Sequence, residues 1–214
     1  MNEISEKAKQ MHERLIDTFH NKINIEGITI LTGNNGSGKS LIRNQIPFLF
    51  KNKYEVELKD MKGWILSTSM QARTESRPEH GALSSIMHDT PWIATSQNTF
   101  HAIKQIIKTI KEKENNTKYL IIDEYEIGCS EETIMALAIY LDSKLQALLK
   151  EKKIEGAMII THSRIGLKHI KHDHFVNIEG LTEEEWLTRE IIPTDLEFLD
   201  KNELFFLIQQ KENS

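Results

Sequence analysis

Apolar residues recur every three or four positions in three segments of the chain. In residues 3–19 this spacing defines one apolar face. The same periodicity runs over about residues 99–113 and about residues 131–151. One or two apolar residues per helical turn predict an amphipathic α-helix in each segment, so a helix is expected within residues 1–21. The face in that first helix is formed by Ile4, Ala8, Met11, Leu15 and Phe19.

Short runs of consecutive apolar residues lie between these helical segments. Four of them cover residues 63–69, 118–124, 156–162 and 173–179. Continuous apolar strands that alternate with helices are typical of a parallel sheet that is covered on both faces. The sequence therefore predicts an α/β fold with a mainly parallel sheet flanked by helices.

Residues 23–50 predict two short β segments followed by a helix. The two segments are joined at Gly27, and the second, Ile28 to Leu31, runs straight into a glycine-rich turn. A helix is expected from about Lys39 to Phe50. The turn therefore lies between a strand and a helix.

Length and composition indicate one globular domain over residues 1–214. Of the 214 residues, 39% are hydrophobic and 28% are charged, a balance that excludes both a disordered chain and a membrane-spanning one. Residues 180–214 are acidic at first and then apolar around Leu204, Phe205 and Phe206. We expect this C-terminal extension to pack on the domain through a short helix.

The glycine-rich turn carries a phosphate-binding motif. Residues 33–40 match the P-loop pattern G-x-x-x-x-G-K-[ST], and a strand before it and a helix after it are the context that this motif requires. Its backbone N–H groups and the helix N-terminus attract phosphate. Lys39 is expected to neutralise the β- and γ-phosphates of ATP, and Ser40 to ligate Mg²⁺. The predicted nucleotide-binding residues of the loop are Gly33, Asn34, Asn35, Gly36, Ser37, Gly38, Lys39 and Ser40.

Two adjacent carboxylates end the predicted strand at residues 118–124. In a parallel sheet this end lies at the carboxyl edge, where ligands bind. Neighbouring side chains of a strand point in different directions, so Asp123 is expected to serve Mg²⁺ while Glu124 faces an attacking water. The alternative is a charged pair that merely terminates a strand.

The order and form of these motifs resemble the ATP-binding-cassette (ABC) ATPases. TGNNGSGKS is close to the ABC form of the P-loop, and IIDE is similar to the ABC form of the acidic strand. The EYEIGCSEE segment then resembles the loop that follows, with Ser130 where an aspartate is commoner. The resemblance implies an ABC-like P-loop NTPase fold that binds ATP and Mg²⁺ and hydrolyses the ATP.

Two further residues take their expected roles from this resemblance. His162, in AMIITHSR, resembles the histidine that contacts the γ-phosphate and positions the catalytic water. Gln71 fits the glutamine that approaches Mg²⁺ and water, although a solvated loop glutamine is the competing interpretation. Ser130, followed by two glutamates, is independently a good helix N-cap.

The chain departs from the ABC pattern in two places. The segment at residues 94–98, before the helix expected from Thr99, keeps a serine and amides but lacks the glycines of the ABC signature. A plain N-cap at Ser96 or Asn98 explains it equally well. An amphipathic helix also stands where the family usually has several antiparallel strands, and Phe19, the nearest aromatic candidate for adenine, is better explained as core.

Charge and cysteine content limit the expected cellular compartment and the expected classes of partner. The single cysteine, Cys129, permits no intrachain disulfide, which favours the reducing cytoplasm. The N-terminal residues lack the apolar stretch of a secretory signal, and no apolar run is long enough for a bilayer. The net charge of −5 does not supply the strongly basic field of a typical nucleic-acid binder, although a local basic patch is compatible with it.

Two clusters of side chains admit functional interpretations that we consider secondary. His169, His172 and His174 crowd three imidazoles into six residues, but a zinc site normally gathers its ligands from separated segments. A stripe of lysines on the helix near residue 106 is typical of a solvated face, with an anionic partner as the alternative. The stripe consists of Lys104, Lys108 and Lys111.

The sequence thus predicts an ATPase that acts through nucleotide-driven association with itself or with a partner protein. Three alternatives remain: the nucleotide-binding subunit of a membrane transporter, an ATP-sensing interaction module with little turnover, and a small-molecule kinase. An acid pair followed by a histidine fits activation of water better than it fits an acceptor site. The fold alone does not decide the biological task.

Overall fold

The computed structural model describes residues 22–34, 37–61, 63–68, 95–112 and 117–190. The helix predicted within residues 1–21, Phe19, and the helix near residue 205 lie outside these ranges. The described strands are Gly27–Thr32 (β1), Ile65–Thr68 (β2), Tyr119–Asp123 (β3), Gly156–Ile160 (β4) and His174–Asn177 (β5). The described α-helices are Lys39–Tyr54 (α1), Thr95–Glu112 (α2), Glu131–Lys150 (α3), Arg164–Leu167 (α4) and Glu183–Thr188 (α5).

The five strands form one parallel sheet in the order β2-β3-β4-β1-β5. The predicted α/β fold with a parallel sheet flanked by helices is therefore confirmed. Strand β4 lies between β1, which leads into the P-loop, and β3, which ends in the acid pair. Three of the predicted site segments consequently end side by side at the carboxyl edge.

Alternate residues of the strands face two separate apolar cores. On one face, Ile30 of β1 and Ile159 of β4 pack against α2 and α3. On the other face, Leu31 and Met158 pack against α1. Because both faces are covered, the strands need no polar side, which explains why they appear as continuous apolar runs. The helical residues of the first core include Ile103, Ile106, Leu141, Leu145 and Leu148.

Two sequence predictions about element boundaries are wrong. The segment before Gly27 is not a strand, because the Asn24 side chain accepts a hydrogen bond from the Glu26 N–H at 2.9 Å and bends the chain. Helix α2 begins at Thr95 rather than at Thr99. The helix therefore extends one turn further towards the N-terminus. Thr99 lies inside it, buried on the same face as Ile103.

Two short helices after β4 carry no periodicity that a sequence pattern could detect. Helix α4 has four residues and is capped by Ser163, whose hydroxyl accepts from the Gly166 N–H at 3.0 Å. Helix α5 has six residues and a capping box between Thr182 and Glu185. Helix α5 anchors the chain after β5 through Trp186, which is buried in the core of the α2 and α3 face.

Candidate active site

The P-loop leaves β1 and enters α1 at the carboxyl edge of the sheet. Gly38, immediately before the helix, has a φ of 98°. This left-handed conformation costs a residue with a Cβ about 1–2 kcal/mol, which accounts for the glycine. The Ser37 N–H donates to the Asn34 carbonyl at 3.1 Å and closes the turn.

Lys39 is folded back into the loop. Its Nζ donates to the carbonyl oxygens of Gly33 at 3.1 Å and Asn34 at 2.9 Å, and only 6% of the residue is exposed. Burial lowers the pKa of Lys39, while the negative charges of nearby carboxylates, first Glu124 and then Asp123, oppose that shift. The charge of the lysine is therefore stabilised by both members of the predicted acid pair.

Other predicted loop residues are only partly covered by the structure. The Ser37 hydroxyl oxygen is buried and has no hydrogen-bond partner within the described residues. Ser40 lies on the first turn of α1, directly after Lys39. Asn35, Gly36 and Gln71 lie outside the described residues, so their assigned roles stay predictions.

Asp123 forms an ion pair that the sequence analysis did not anticipate. Arg43, three residues after Ser40 on α1, places Nη1 2.5 Å from Asp123 Oδ2. The two side chains are 17% and 9% exposed. Burial raises the pKa of Asp123, and the Arg43 charge opposes the rise. A buried ion pair therefore holds the carboxylate that was predicted to bind Mg²⁺.

Glu124 and His162 meet although they follow different strands. Glu124 Oε1 lies 3.2 Å from His162 Nε2. Glu124 adopts a φ of 53°, an uncommon conformation for a residue with a Cβ. Its N–H donates to the Ile160 carbonyl at 2.9 Å, which ties the end of β3 to the end of β4. Strained backbone of this kind is often found at functional sites.

Glu126, a third carboxylate that follows the acid pair, also contacts His162. Glu126 Oε1 accepts hydrogen bonds from the His162 backbone N–H at 2.6 Å and from the Thr161 hydroxyl at 2.9 Å. Its Oε2 is buried and has no hydrogen-bond partner within the described ranges. Burial raises the pKa of Glu126.

Asn34 of the P-loop forms hydrogen bonds with two residues that follow β5. The Asn34 N–H donates to Glu179 Oε1 at 2.7 Å, and its side-chain oxygen accepts from Arg189 Nη2 at 2.6 Å. Arg189 Nη1 also donates to Glu179 Oε2 at 2.9 Å, which closes a three-residue ring. The Arg189 guanidinium lies 4.1 Å from the centre of the Trp186 ring, so α5 supports the ring. Glu179, Trp186 and Arg189, which all follow β5, thereby support the loop.

Of the remaining predicted features, Ser130 is confirmed as the N-cap of α3, since its hydroxyl accepts from the Thr133 N–H at 3.4 Å. Ser96 and Asn98 are not N-caps, because α2 begins before both of them.

The histidine and lysine clusters lie away from the acid pair in the sequence. His172 Nε2 lies 3.1 Å from Glu183 Oε2, and no group of three or more potential metal ligands exists in the described part of the chain. The stripe of lysines on α2 is exposed. Within the same described ranges, no helix is long and apolar enough to cross a bilayer.

The carboxyl edge thus combines a cationic loop with three carboxylates and an imidazole. A P-loop between a strand and a helix of a parallel sheet defines a P-loop NTPase fold. Sequence reasoning missed Arg43, Glu126, Glu179 and Arg189. Their contacts depend on which strands are neighbours, and the sequence does not show the strand order. Only their spacing from the motifs was visible in the sequence.

Comparison with known proteins finds solved structures of low similarity. No protein-family model and no curated protein gives a significant match. The ATP-binding cassette MJ0796, solved as a dimer in a post-hydrolysis state with ADP and Pi, is 14% identical with a TM-score of 0.44, over 72% of this chain and 83% of that one. C. elegans PCH-2 is 14% identical with a TM-score of 0.33, over 81% of this chain and 40% of that one. This chain thus spans less than half the length of PCH-2.

Proposed function

We propose that this chain is a magnesium-dependent ATPase of the ABC type, in which Glu124 activates the attacking water. The observation that carries the proposal is the contact between Glu124 and His162 at 3.2 Å, at the carboxyl edge of the sheet where β1 leads into the P-loop. A general base must stand within hydrogen-bond reach of the proton that it abstracts. The contact of Glu124 with His162 and the effect of its charge on Lys39 support this role.

The residues present fit Mg-ATP. Lys39 is already enclosed by the loop, as a side chain that neutralises phosphate must be, and Ser37 offers a buried hydroxyl with no partner among the described residues. Ser40 and Asp123 supply a hydroxyl and a carboxylate, the hard oxygen ligands that Mg²⁺ prefers. The ion would be held by these two residues and would neutralise charge on the β- and γ-phosphates.

In the proposed reaction, Glu124 accepts a proton from a water whose oxygen forms a bond to the γ-phosphorus. The bond between that phosphorus and the bridging oxygen breaks, and the products are ADP and inorganic phosphate. His162, which contacts Glu124 through Nε2, is proposed to orient the same water. Lys39 neutralises the charge that moves onto the β-phosphate.

One observation favours a second candidate, an ATP-sensing module with little turnover. Arg43 neutralises Asp123 at 2.5 Å, and a guanidinium at that position opposes the entry of a divalent cation. Such a chain would bind ATP and change its association with another protein without hydrolysing the nucleotide at an appreciable rate.

Phosphate release separates the two candidates. The purified chain is titrated with ATP by calorimetry, and phosphate release is then followed with and without Mg²⁺. The ATPase proposal expects saturable binding and release that depends on Mg²⁺, with turnover above about 0.1 per second, which is about tenfold below the typical range for enzymes. Binding without release would favour the sensing module, and absence of binding would overturn both.

A further inference from the structure

The Glu126 carboxylate joins the loop after β3 to the end of β4. Its Oε1 accepts from the His162 N–H at 2.6 Å and from the Thr161 hydroxyl at 2.9 Å. The Thr161 hydroxyl oxygen in turn accepts from the Ser163 N–H at 3.0 Å. One carboxylate oxygen therefore fixes three consecutive residues, and the residue in the middle is His162.

The same loop also carries Glu124, the other partner of His162. Residues 125–128 form a turn, closed by the Ile127 N–H donating to the Glu124 carbonyl at 3.3 Å and the Cys129 N–H donating to the Glu126 carbonyl at 3.1 Å. Glu124 directly precedes this turn, and Glu126 lies on it. One contacts the His162 imidazole and the other holds the His162 backbone.

The two hydrogen bonds require an acceptor at this position but not a charged one, and the carboxylate has a cost. Glu126 Oε2 is buried without a partner among the described residues, and leaving a buried polar atom unpaired typically costs about 1–3 kcal/mol. Burial also disfavours the charged form of the group. Residues that break such local rules are expected mainly at functional sites.

We infer that Glu126 is a positioning residue, which fixes residues 161–163 and thereby aims the His162 imidazole at Glu124. The inference rests on the proposed function, since it assigns Glu126 to the same reaction. Glu126 itself touches neither the phosphate nor the water. It acts by limiting where the imidazole can point, and a displacement of about 1 Å in such a group can cost about 100-fold in rate.

The test compares Glu126→Met with Glu126→Gln. Met removes the acceptor and keeps the bulk, whereas Gln retains a carbonyl oxygen that can accept both hydrogen bonds. We expect Glu126→Met to lower kcat by about 10- to 100-fold and to change the dissociation constant of a non-hydrolysable ATP analogue by less than about threefold. Glu126→Gln should stay within about threefold of the wild-type kcat. Glu131→Met, the same replacement at an exposed glutamate five residues later, is the matched control and should have no effect.

The dependence on His162 is tested in a double-mutant cycle. In a His162→Ala background, Glu126→Met should change kcat by less than about threefold, because the group being positioned is gone. An equal loss in both backgrounds would overturn the inference, because Glu126 would then act elsewhere. A kcat of Glu126→Met equal to that of Glu131→Met would overturn it as well.

Amide hydrogen exchange gives a readout that needs no hydrolysis. The His162 N–H should be protected in the wild type and in Glu126→Gln, and should exchange at least about tenfold faster in Glu126→Met, while amides within β1 keep their protection. Uniformly faster exchange would indicate a general loss of stability and would count against a positioning role. If the wild type releases no phosphate, the proposed function fails, whereas the exchange result still shows whether Glu126 holds His162.

Discussion

The Arg43 guanidinium lies 2.5 Å from the Asp123 carboxylate, although 80 residues separate the two in sequence. Arg43 follows Ser40 by three residues on α1, so both side chains lie on the same side of the helix. The pair therefore places a fixed positive charge beside the two residues proposed to hold Mg²⁺. A divalent cation at Asp123 must share or replace this partner.

Arg43→Met should destabilise the nucleotide-free chain and increase the stabilisation that Mg-ATP provides. Removal of one partner of a buried ion pair costs about 3 kcal/mol, because the other charge is left without compensation. Urea unfolding with and without Mg-ATP measures both effects, and the Mg²⁺ concentration for half-maximal stabilisation should fall. The control is Lys51→Met on the same helix, which removes an exposed ion pair with Glu57 beyond the helix and should cost less than about 1 kcal/mol. Equal losses for the two variants would contradict the prediction.

The strands, their parallel arrangement and the identity of the acid pair could be predicted from the sequence, because each depends on a local pattern. The order of the strands could not. The Glu126 contact with His162 requires the loop after β3 to lie beside the end of β4, and no local pattern states that these strands are neighbours. The strand predicted before Gly27 failed for a different reason, since a single Asn24 side chain overrides the apolar pattern.

Lys39→Ala should lower the affinity for ATP by at least about 100-fold, a free-energy difference of about 2.7 kcal/mol. Lys39 is the buried cation of the loop, and its ammonium group holds the carbonyl oxygens of Gly33 and Asn34. Calorimetry with ATP measures the change, and Lys51→Ala on the same helix provides the control. An affinity within about threefold of the wild type would remove the P-loop from the proposed mechanism.

Glu126→Gln should change how stability depends on pH. Since burial raises the folded-state pKa of Glu126 above its ordinary 4.5, the folded chain binds this proton more tightly than the unfolded chain does. This contribution to stability is present below the unfolded pKa and is lost as pH rises through the folded pKa. The difference in unfolding free energy, Glu126→Gln minus wild type, should therefore increase as pH rises from about 4.5, until Glu126 is ionised in both states. Urea titrations at several pH values measure it, and a difference that stays constant would contradict the shift.

Glu124→Gln should accumulate as an ATP-bound homodimer if association is driven by nucleotide. The variant keeps Lys39, Ser40 and Asp123, so Mg-ATP would remain bound at the P-loop, where a second copy would cover it. Light scattering with Mg-ATP should give twice the monomer mass, and the Glu124→Gln, Lys39→Ala double variant should stay monomeric. A Glu124→Gln protein that binds ATP but remains monomeric at about tens of micromolar would indicate a different chain as partner.

The most direct test of the account is phosphate release from ATP in a single turnover, with the wild type and Glu124→Gln each saturated with nucleotide. Gln preserves the size of the side chain but cannot accept the proton from water. We expect Mg²⁺-dependent release by the wild type, release at least about 100-fold slower by Glu124→Gln, and affinities for a non-hydrolysable analogue that agree within about threefold. Equal rates for the two proteins, or wild-type release no faster than that of Lys39→Ala, would contradict the assignment of Glu124 as the base of an ATPase.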